Sequence, residues 1–317
     1  NMMDAEQNYG ILGQYAGDSA TTPHLGGDPR RWTAFPAVDS TPGAAAGAPR
    51  ALRVGSDESY VYVAVELADQ AGTPFPWTAR GIELGIDTWR GDLGQRVLPS
   101  GLRTDSLGFE FALELAAPDS GALRITPDYD PYAHIPGAAE HYDDEGRFYH
   151  RPAATVARDD GAWAALDVVT NRARFGRDGT FYPAQGIDRG VMRYGTETAS
   201  TLSDWYYDEA AGVVEIRLPW GLLNVTDPST RTILQDTAAT GSFATVQARG
   251  FRFGVAVIQK GAASKPLGAL PALGDDGVWP AASFRDWSWA PWSEPRSHQR
   301  IKPVYAAMSA LWGGWAR

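Results

Sequence analysis

Leu52-Arg53-Val54-Gly55-Ser56-Asp57-Glu58-Ser59-Tyr60-Val61-Tyr62-Val63-Ala64-Val65 reads as a strand, a tight turn and a strand. Ala51–Val54 runs into Gly55-Ser56-Asp57-Glu58, where glycine, serine and aspartate suit a chain reversal. In Tyr60–Leu67 the residues then alternate. Val61, Val63, Val65 and Leu67 share one face, and Tyr60, Tyr62, Ala64 and Glu66 the other. A period of two held over a whole segment marks a β-strand with one apolar side. Strands of this kind bury that side by stacking two sheets.

The same pattern recurs outward from the hairpin. Ile82–Asp87 is a strand that ends in Thr88-Trp89-Arg90-Gly91-Asp92-Leu93-Gly94. In Gly108–Leu115, Phe109, Phe111, Leu113 and Leu115 point one way, with Glu110 and Glu114 opposite. Leu123–Thr126, Trp163–Val169, Val213–Leu218 and Phe251–Ile258 complete the set of predicted strands. Trp205 and Tyr207 fall on one face of a further short strand and Tyr206 on the other. Long irregular stretches lie at 127–160, 171–190 and 259–283.

No sustained amphipathic helix and no fixed repeat interrupts the pattern. The predicted fold is all-β: an antiparallel two-sheet β-sandwich with long loops and a short C-terminal helix, in a single domain over 1–317. Residues 1–50 are read as an N-terminal extension and loop anchored by Trp32 and Phe35, and 51–300 as the sandwich. Residues 301–317 are read as the helix, with Pro303 in its first turn and Tyr305, Met308 and Trp312 along one face.

Composition agrees with this class. The 317 residues are 44% hydrophobic and 21% charged, within the globular range. Twelve Trp, thirteen Tyr and eleven Phe, with 35 Gly and 22 Pro, favour strands and turns over helices. A net charge of −10 without a long basic run argues against nucleic acid or an anionic membrane as partner. No apolar run reaches the ~18 residues of a membrane-spanning helix. The absence of cysteine excludes disulfides, thiolate metal sites and cysteine nucleophiles without deciding the compartment. The opening Asn1-Met2-Met3-Asp4-Ala5-Glu6 has neither a basic n-region nor an apolar h-region, so the expectation is a piece of a longer chain.

The hairpin Leu52–Val65 resembles the opening hairpin of sandwich domains related to family 9 carbohydrate-binding modules and the DOMON superfamily. Asp28-Pro29-Arg30-Arg31-Trp32 shortly before it, and the strand Ile82-Glu83-Leu84-Gly85-Ile86-Asp87 ending in aspartate, carry the likeness over residues 28–115. Glu6–Leu12 and Trp289–Tyr305 are similar to segments of modules at the end of larger bacterial glycosidase-like proteins. The resemblance implies an accessory sugar-binding sandwich whose partners are a poly- or oligosaccharide and a neighbouring domain of its parent protein. Two departures stand out. The pair of ligand-clamping tryptophans of the sugar-binding members does not align here. No histidine sits in a context that would match Met192 or Met308 to the axial pair of the haem-binding members.

Among candidate sites, Trp89 with Asp87 and Arg90 has the chemistry of a sugar site. An indole stacks on the apolar face of a pyranose, while a carboxylate takes hydrogen bonds from its hydroxyls and a guanidinium gives them. The alternative is that Trp89 caps the end of the sandwich and Asp87 ties the turn. Tyr129 and Tyr132, in Asp128-Tyr129-Asp130-Pro131-Tyr132, are the second choice. Asp128 and Asp130 could also give oxygens to a structural Ca²⁺ with Asp87 or Asp92, although the twelve-residue loop spacing is missing. No other cofactor is expected. His134 and His141 lie near carboxylates without zinc-site spacing. Trp279, Trp287, Trp289 and Trp292 form either a core, a stacking platform or an interface with another domain.

Hydrolase elbows, phosphate loops and dinucleotide fingerprints are absent from the sequence. The leading expectation is therefore a non-catalytic carbohydrate-binding-like module. The alternatives are a docking domain that uses the late tryptophan cluster as an exposed patch, and a glycoside hydrolase. The last needs an open cleft with two facing carboxylates, at least one with a raised pKa.

Overall fold

The computed structural model describes residues 22–131, 155–171, 173–235 and 244–293 in full. It also describes 310–312 and the backbone of Leu12–Ala16, His141–Tyr142, Phe148–Tyr149 and Ser297–Ile301. Two antiparallel sheets face each other. The first has the order Trp205–Asp208, Val213–Pro219, Tyr60–Leu67, Pro49–Ser56 and Ala37–Ser40. The second has the order Ala164–Ala165, Ser120–Ile125, Phe111–Ala117, Arg80–Asp87, Phe251–Gln259 and Lys265–Leu270. Val191–Met192 joins this sheet on Ser120–Ile125, and Asp286–Trp287 on Phe251–Gln259.

The hairpin that decides the fold pairs Val54 with Val63 and Leu52 with Val65, so both strands present their valines and leucine to the same side. Ile216 lies across from Val63 on the next strand. Opposite them, Ile86 pairs with Phe111 and Phe253, and Leu84 with Leu113 and Val255. These residues form one core between the sheets, together with Trp205, Tyr207, Phe251 and Trp289. At ~25 cal/mol per Å² of apolar surface removed from water, this layer is the main stabilising term of the fold.

The strand bounds differ from the sequence reading at instructive places. Phe109 does not lie in the strand with Phe111. Its backbone exchanges hydrogen bonds with Gln95 at 2.9 and 3.0 Å, and its ring lies on the far side of the second sheet. The stretch Trp163–Val169 splits: Ala164–Ala165 joins the second sheet, whereas Asp167–Asn171 pairs with Gln185–Asp188 outside it.

Residues 16–50 are not all loop. Pro29–Thr33 is a helical turn with proline in its first turn and Asp28 as its cap, accepting from the Arg30 N–H. Ala37–Ser40 is an edge strand of the first sheet, so the sandwich begins well before residue 51. At the other end, Ile301 belongs to a strand paired with Leu12–Ala16. Residues 310–312 are helical; the rest of the expected C-terminal helix lies outside the described residues.

Both sheets are covered on their outer faces as well. Trp32, from the helical turn, lies with Leu25 on Tyr62, Ala64 and Val213 of the first sheet. Loops 95–108 and 271–284 bring Leu98, Leu102, Leu107, Trp279 and Phe284 over Ala112, Ala256 and Ile258 of the second. Gly85 and Gly254, paired across strands, make room for this layer. A Cβ on Gly85 would meet the Phe109 ring at 2.6 Å, and one on Gly254 the Phe284 ring at 2.8 Å. No helix among the described residues is long and apolar enough to cross a membrane.

Candidate functional site

The strand Arg80–Asp87 delivers Asp87 to one end of the second sheet, and the chain turns there through Thr88, Trp89 and Arg90. Glu110 organises this turn. It sits between the Phe109–Gln95 bridge and the strand Phe111–Ala117, and its own N–H donates to the Ile86 carbonyl at 3.1 Å. Its Oε2 accepts from the Thr88 N–H at 2.7 Å and from the Trp89 N–H at 3.4 Å. Gly91 is needed for closeness: a Cβ there would meet Leu107 at 2.6 Å and the Arg252 guanidinium at 2.7 Å.

Trp89 is half-buried. Its ring lies flat on Tyr129, with centroids 5.7 Å apart and planes at 12°. Tyr129 is fixed from below. Its hydroxyl donates to the Leu234 carbonyl at 2.5 Å, and its carbonyl accepts from Asn224 Nδ2 at 3.0 Å. The Arg90 guanidinium carbon sits 5.9 Å from the Trp89 ring centroid. Arg90 is exposed and grips Asp92 through two bonds of 3.0 and 2.5 Å. This bond holds the Asp92 carboxyl below the usual carboxylate range. Beside them, Arg252 Nε donates to Asp286 at 2.6 Å, while its Nη1 lies 3.5 Å from Asp87. The site is therefore a braced aromatic shelf edged by two guanidinium–carboxylate pairs.

Asp87 differs from its expected role. It is only 4% exposed, so it does not offer its carboxylate to a ligand. Burial pushes its carboxyl up to about 7 against the pull of Arg252, and it hydrogen-bonds with Glu110. Burial and the neighbouring Asp87 hold the Glu110 carboxyl well above its ordinary range. Two adjacent buried carboxyls resist ionising together, which favours the protonated form of Glu110. A sealed acid pair of this kind holds the turn rather than meeting a substrate. Sequence reasoning missed Glu110 because it read the residue as the outward side of a strand. The available signal was a carboxylate enclosed between Phe109 and Phe111.

A protonated glutamic acid at 110 accepts from the Thr88 N–H and donates to Asp87, which glutamine also does. Glu110→Gln is expected to lower stability by less than ~1 kcal/mol, whereas Glu110→Ala costs about 2–4 kcal/mol through unmet N–H groups and a cavity. Urea denaturation of both variants checks this; equal losses would refute the protonated assignment.

Tyr129, expected to touch sugar, is instead fully enclosed beneath Trp89. Tyr132 lies outside the described residues, as do His134 and the side chain of His141. Asp128 accepts from Arg158 Nη1 at 2.6 Å, and no three acidic or histidine side chains gather into a metal site among the described residues. The late tryptophans form no exposed patch. Trp279 is fully buried, Trp289 nearly so, and Trp287 and Trp292 pack against the core. Trp220 joins them, with its ring centroid 4.4 Å from that of Trp289. The argument for docking through that cluster therefore fails.

A hollow of about 150 Å³ lies at the other end of the strand Arg80–Asp87, lined by Glu83, Ser100, Glu114, Leu115, Lys260 and others. Glu83 and Glu114 pair across the strands, and Ser100 Oγ donates to Glu83 at 2.5 Å. Lys260 Nζ is committed to the carbonyls of Trp77 and Ala116, both at 2.6 Å. The hollow is smaller than the ~300 Å³ lower end of ligand pockets.

No protein-family model matches the chain, and no curated protein matches it.

Proposed function

We propose that this chain is a non-catalytic carbohydrate-binding-like module, accessory to a larger protein, and that it takes a saccharide on Trp89. The observation that carries the reading is the half-buried indole clamped flat on a buried tyrosine, with Arg90–Asp92 and Arg252–Asp286 beside it. A rigid ring gives a sugar face a place to stack without an ordering cost, and the flanking ion pairs carry donors and acceptors for hydroxyls. Arg90 and Asp92 are the polar contacts in this reading; Asp87 and Tyr129 position the shelf.

Affinity in the μM–mM range is expected, since one stacked ring supplies few contacts. Titration with a glycan panel, followed by tryptophan fluorescence, tests the function. A saturable change is expected with one glycan class. Trp89→Ala is expected to weaken that binding roughly tenfold or more, since a stacked aromatic contributes about 0.5–1.5 kcal/mol beyond its buried area. A flat response across the panel, or a Trp89→Ala variant that binds as well as the parent, overturns the proposal.

A further inference from the structure

A two-stranded ribbon stands out from the sandwich. Asp167–Asn171 pairs with Gln185–Asp188, and further out Arg174–Phe175 pairs with Phe181–Tyr182. Its end is closed by Gly176 N–H donating to the Thr180 carbonyl at 2.7 Å, with Gly179 at φ +81°. Phe148–Tyr149 comes near its Asp167–Asn171 strand, whereas the tip is exposed. Phe175 is 73% exposed and Phe181 55%, although their ring centroids lie only 5.2 Å apart. Arg174 lies over the Tyr182 ring at 5.5 Å. Neither Arg174 nor Arg177 makes an ion pair among the described residues. An isolated pair of strands is marginal in water, and its free edges invite pairing. Two arginines against one aspartate, Asp178, whose Oδ1 accepts from the Thr180 N–H at 3.0 Å, leave the tip a mildly cationic aromatic surface on a chain of net charge −10.

The complementary surface is on the same molecule. Loops 68–72 and 208–212 touch through Gly72 N–H donating to the Glu209 carbonyl at 2.7 Å. They carry Asp69, Asp208 and Glu209 on neighbouring turns, none of which forms an ion pair among the described residues; Asp208 Oδ1 accepts from the Ala211 N–H at 3.1 Å. Beside them the Tyr194 and Tyr206 rings meet tilted, with centroids 5.5 Å apart and planes at 32°. The charges of Glu209 and Asp208 help push the Tyr207 hydroxyl up to about 12, behind burial as the larger cause. This second surface is aromatic and anionic where the tip is aromatic and cationic.

We propose that the ribbon tip docks on the Tyr194–Tyr206–Glu209 surface of a second copy of this chain, so that two copies clasp each other about a two-fold axis. Charge complementarity selects this occupant: arginines on the tip and carboxylates on the patch, without ion pairs among the described residues, meet each other. The ribbon's reach makes the contact intermolecular. The paired segments Asp167–Asn171 and Arg174–Phe175 alone reach roughly 20 Å at ~3.3 Å per residue, and Tyr194 follows only a few residues after the ribbon's base. The tip cannot turn back onto that patch without opening its own ladder. Reciprocal exchange uses each surface twice and closes the assembly.

Sedimentation equilibrium of the chain at ~5–200 μM and ~50 mM salt tests the clasp, with dissociation constants in the micromolar range expected. The mass should rise from one chain toward two and fall back in ~0.5 M salt as the charges are screened. Arg174→Glu with Arg177→Glu should weaken self-association at least tenfold, and so should Glu209→Arg. An equimolar mixture of the two variants should recover a dimer, which unfolding of either variant could not produce. Phe175→Ser with Phe181→Ser should leave a monomer. A single-chain mass at the highest concentration overturns the proposal, as does a dimer unaffected by the charge reversals.

Discussion

Trp279→Ala will cost this fold roughly 3–5 kcal/mol, the range for deleting a large buried aromatic. Trp279 is the centre of the layer on the outer face of the second sheet. It is fully buried and meets Phe109 and Phe284 edge to face, at centroid distances of 6.2 and 5.7 Å. Its Nε1 donates to the Pro271 carbonyl at 2.7 Å. Its backbone ties loop 271–284 to loop 95–108 through Arg103 and Asp105, at 2.9 and 3.0 Å. Alanine leaves a void between two aromatic rings and a buried carbonyl without its donor; the latter alone costs about 1–3 kcal/mol. Chemical denaturation measures the loss. A change below ~1 kcal/mol would show that the outer layer is cosmetic and that the inner core alone sustains the sheet. Trp279→Phe, which fills part of the void, should recover a portion of the loss.

Stability should fall as pH rises from about 5 to about 8. Several carboxyls are buried with their pKa raised above ordinary values: Glu215 up to about 8, and Glu83 and Asp87 up to about 7, in each case chiefly by burial. Burial and the neighbouring Asp87 raise Glu110 as well. Below the unfolded value near 4.5 these groups are protonated in both states, and their contribution is fully present. As pH rises, the unfolded chain ionises first while the folded chain keeps its protons. Stability then declines until pH passes the folded values. Each group contributes a slope of up to ~1.4 kcal/mol per pH unit. Carboxylates with lowered values, such as Glu66 between Arg53 and Arg50, act only at the acid end and lose their stabilisation as pH falls.

Glu215 is the cleanest reporter. It is fully buried, and its Oε2 accepts from the Gly26 N–H at 2.7 Å. Glu215→Gln should keep that bond and flatten the profile between pH 5 and 8. Urea midpoints at pH 5, 6.5 and 8 give the test. A midpoint that stays level or climbs over this range would refute the protonated assignments.

The inner face of the sandwich was legible because it is written locally: the alternation in Tyr60–Leu67 decided both strand and facing. Its outer faces were not, because their cover is nonlocal. Tyr60, Tyr62, Ala64 and Glu66 look like a solvent side in sequence, yet Trp32 and Leu25 arrive from a stretch without periodicity to bury Tyr62 and Ala64. Trp32 sits in a helical turn of five residues, capped by Asp28, which is too short to show a period. Phe109 misled in the opposite direction: it kept the alternation of its neighbours while its backbone paired with Gln95. At the shelf, Trp89 and Arg90 were found from composition and position after a strand. The inward turn of Asp87 and the support from Tyr129 depend on Glu110, which reaches Thr88 from another strand, a relation no linear pattern carries.

The dry cover on both faces of the second sheet also sets an order of opening. Amide hydrogens of Arg80–Asp87 have bonded strands on either side and side-chain layers above and below. Their exchange with solvent therefore requires disruption close to global. The loop that presents Trp89 starts from that strand and is anchored to it through Glu110. The outer part of the ribbon, Arg174–Phe175 with Phe181–Tyr182, is exposed, so its amides are expected to exchange through local opening, at a far smaller cost. One polypeptide thus holds its ring-bearing end beside a strand bonded on both sides and extends its tip on an exposed pair of strands. The shelf is shaped before anything arrives, and the ribbon is free to take shape on contact.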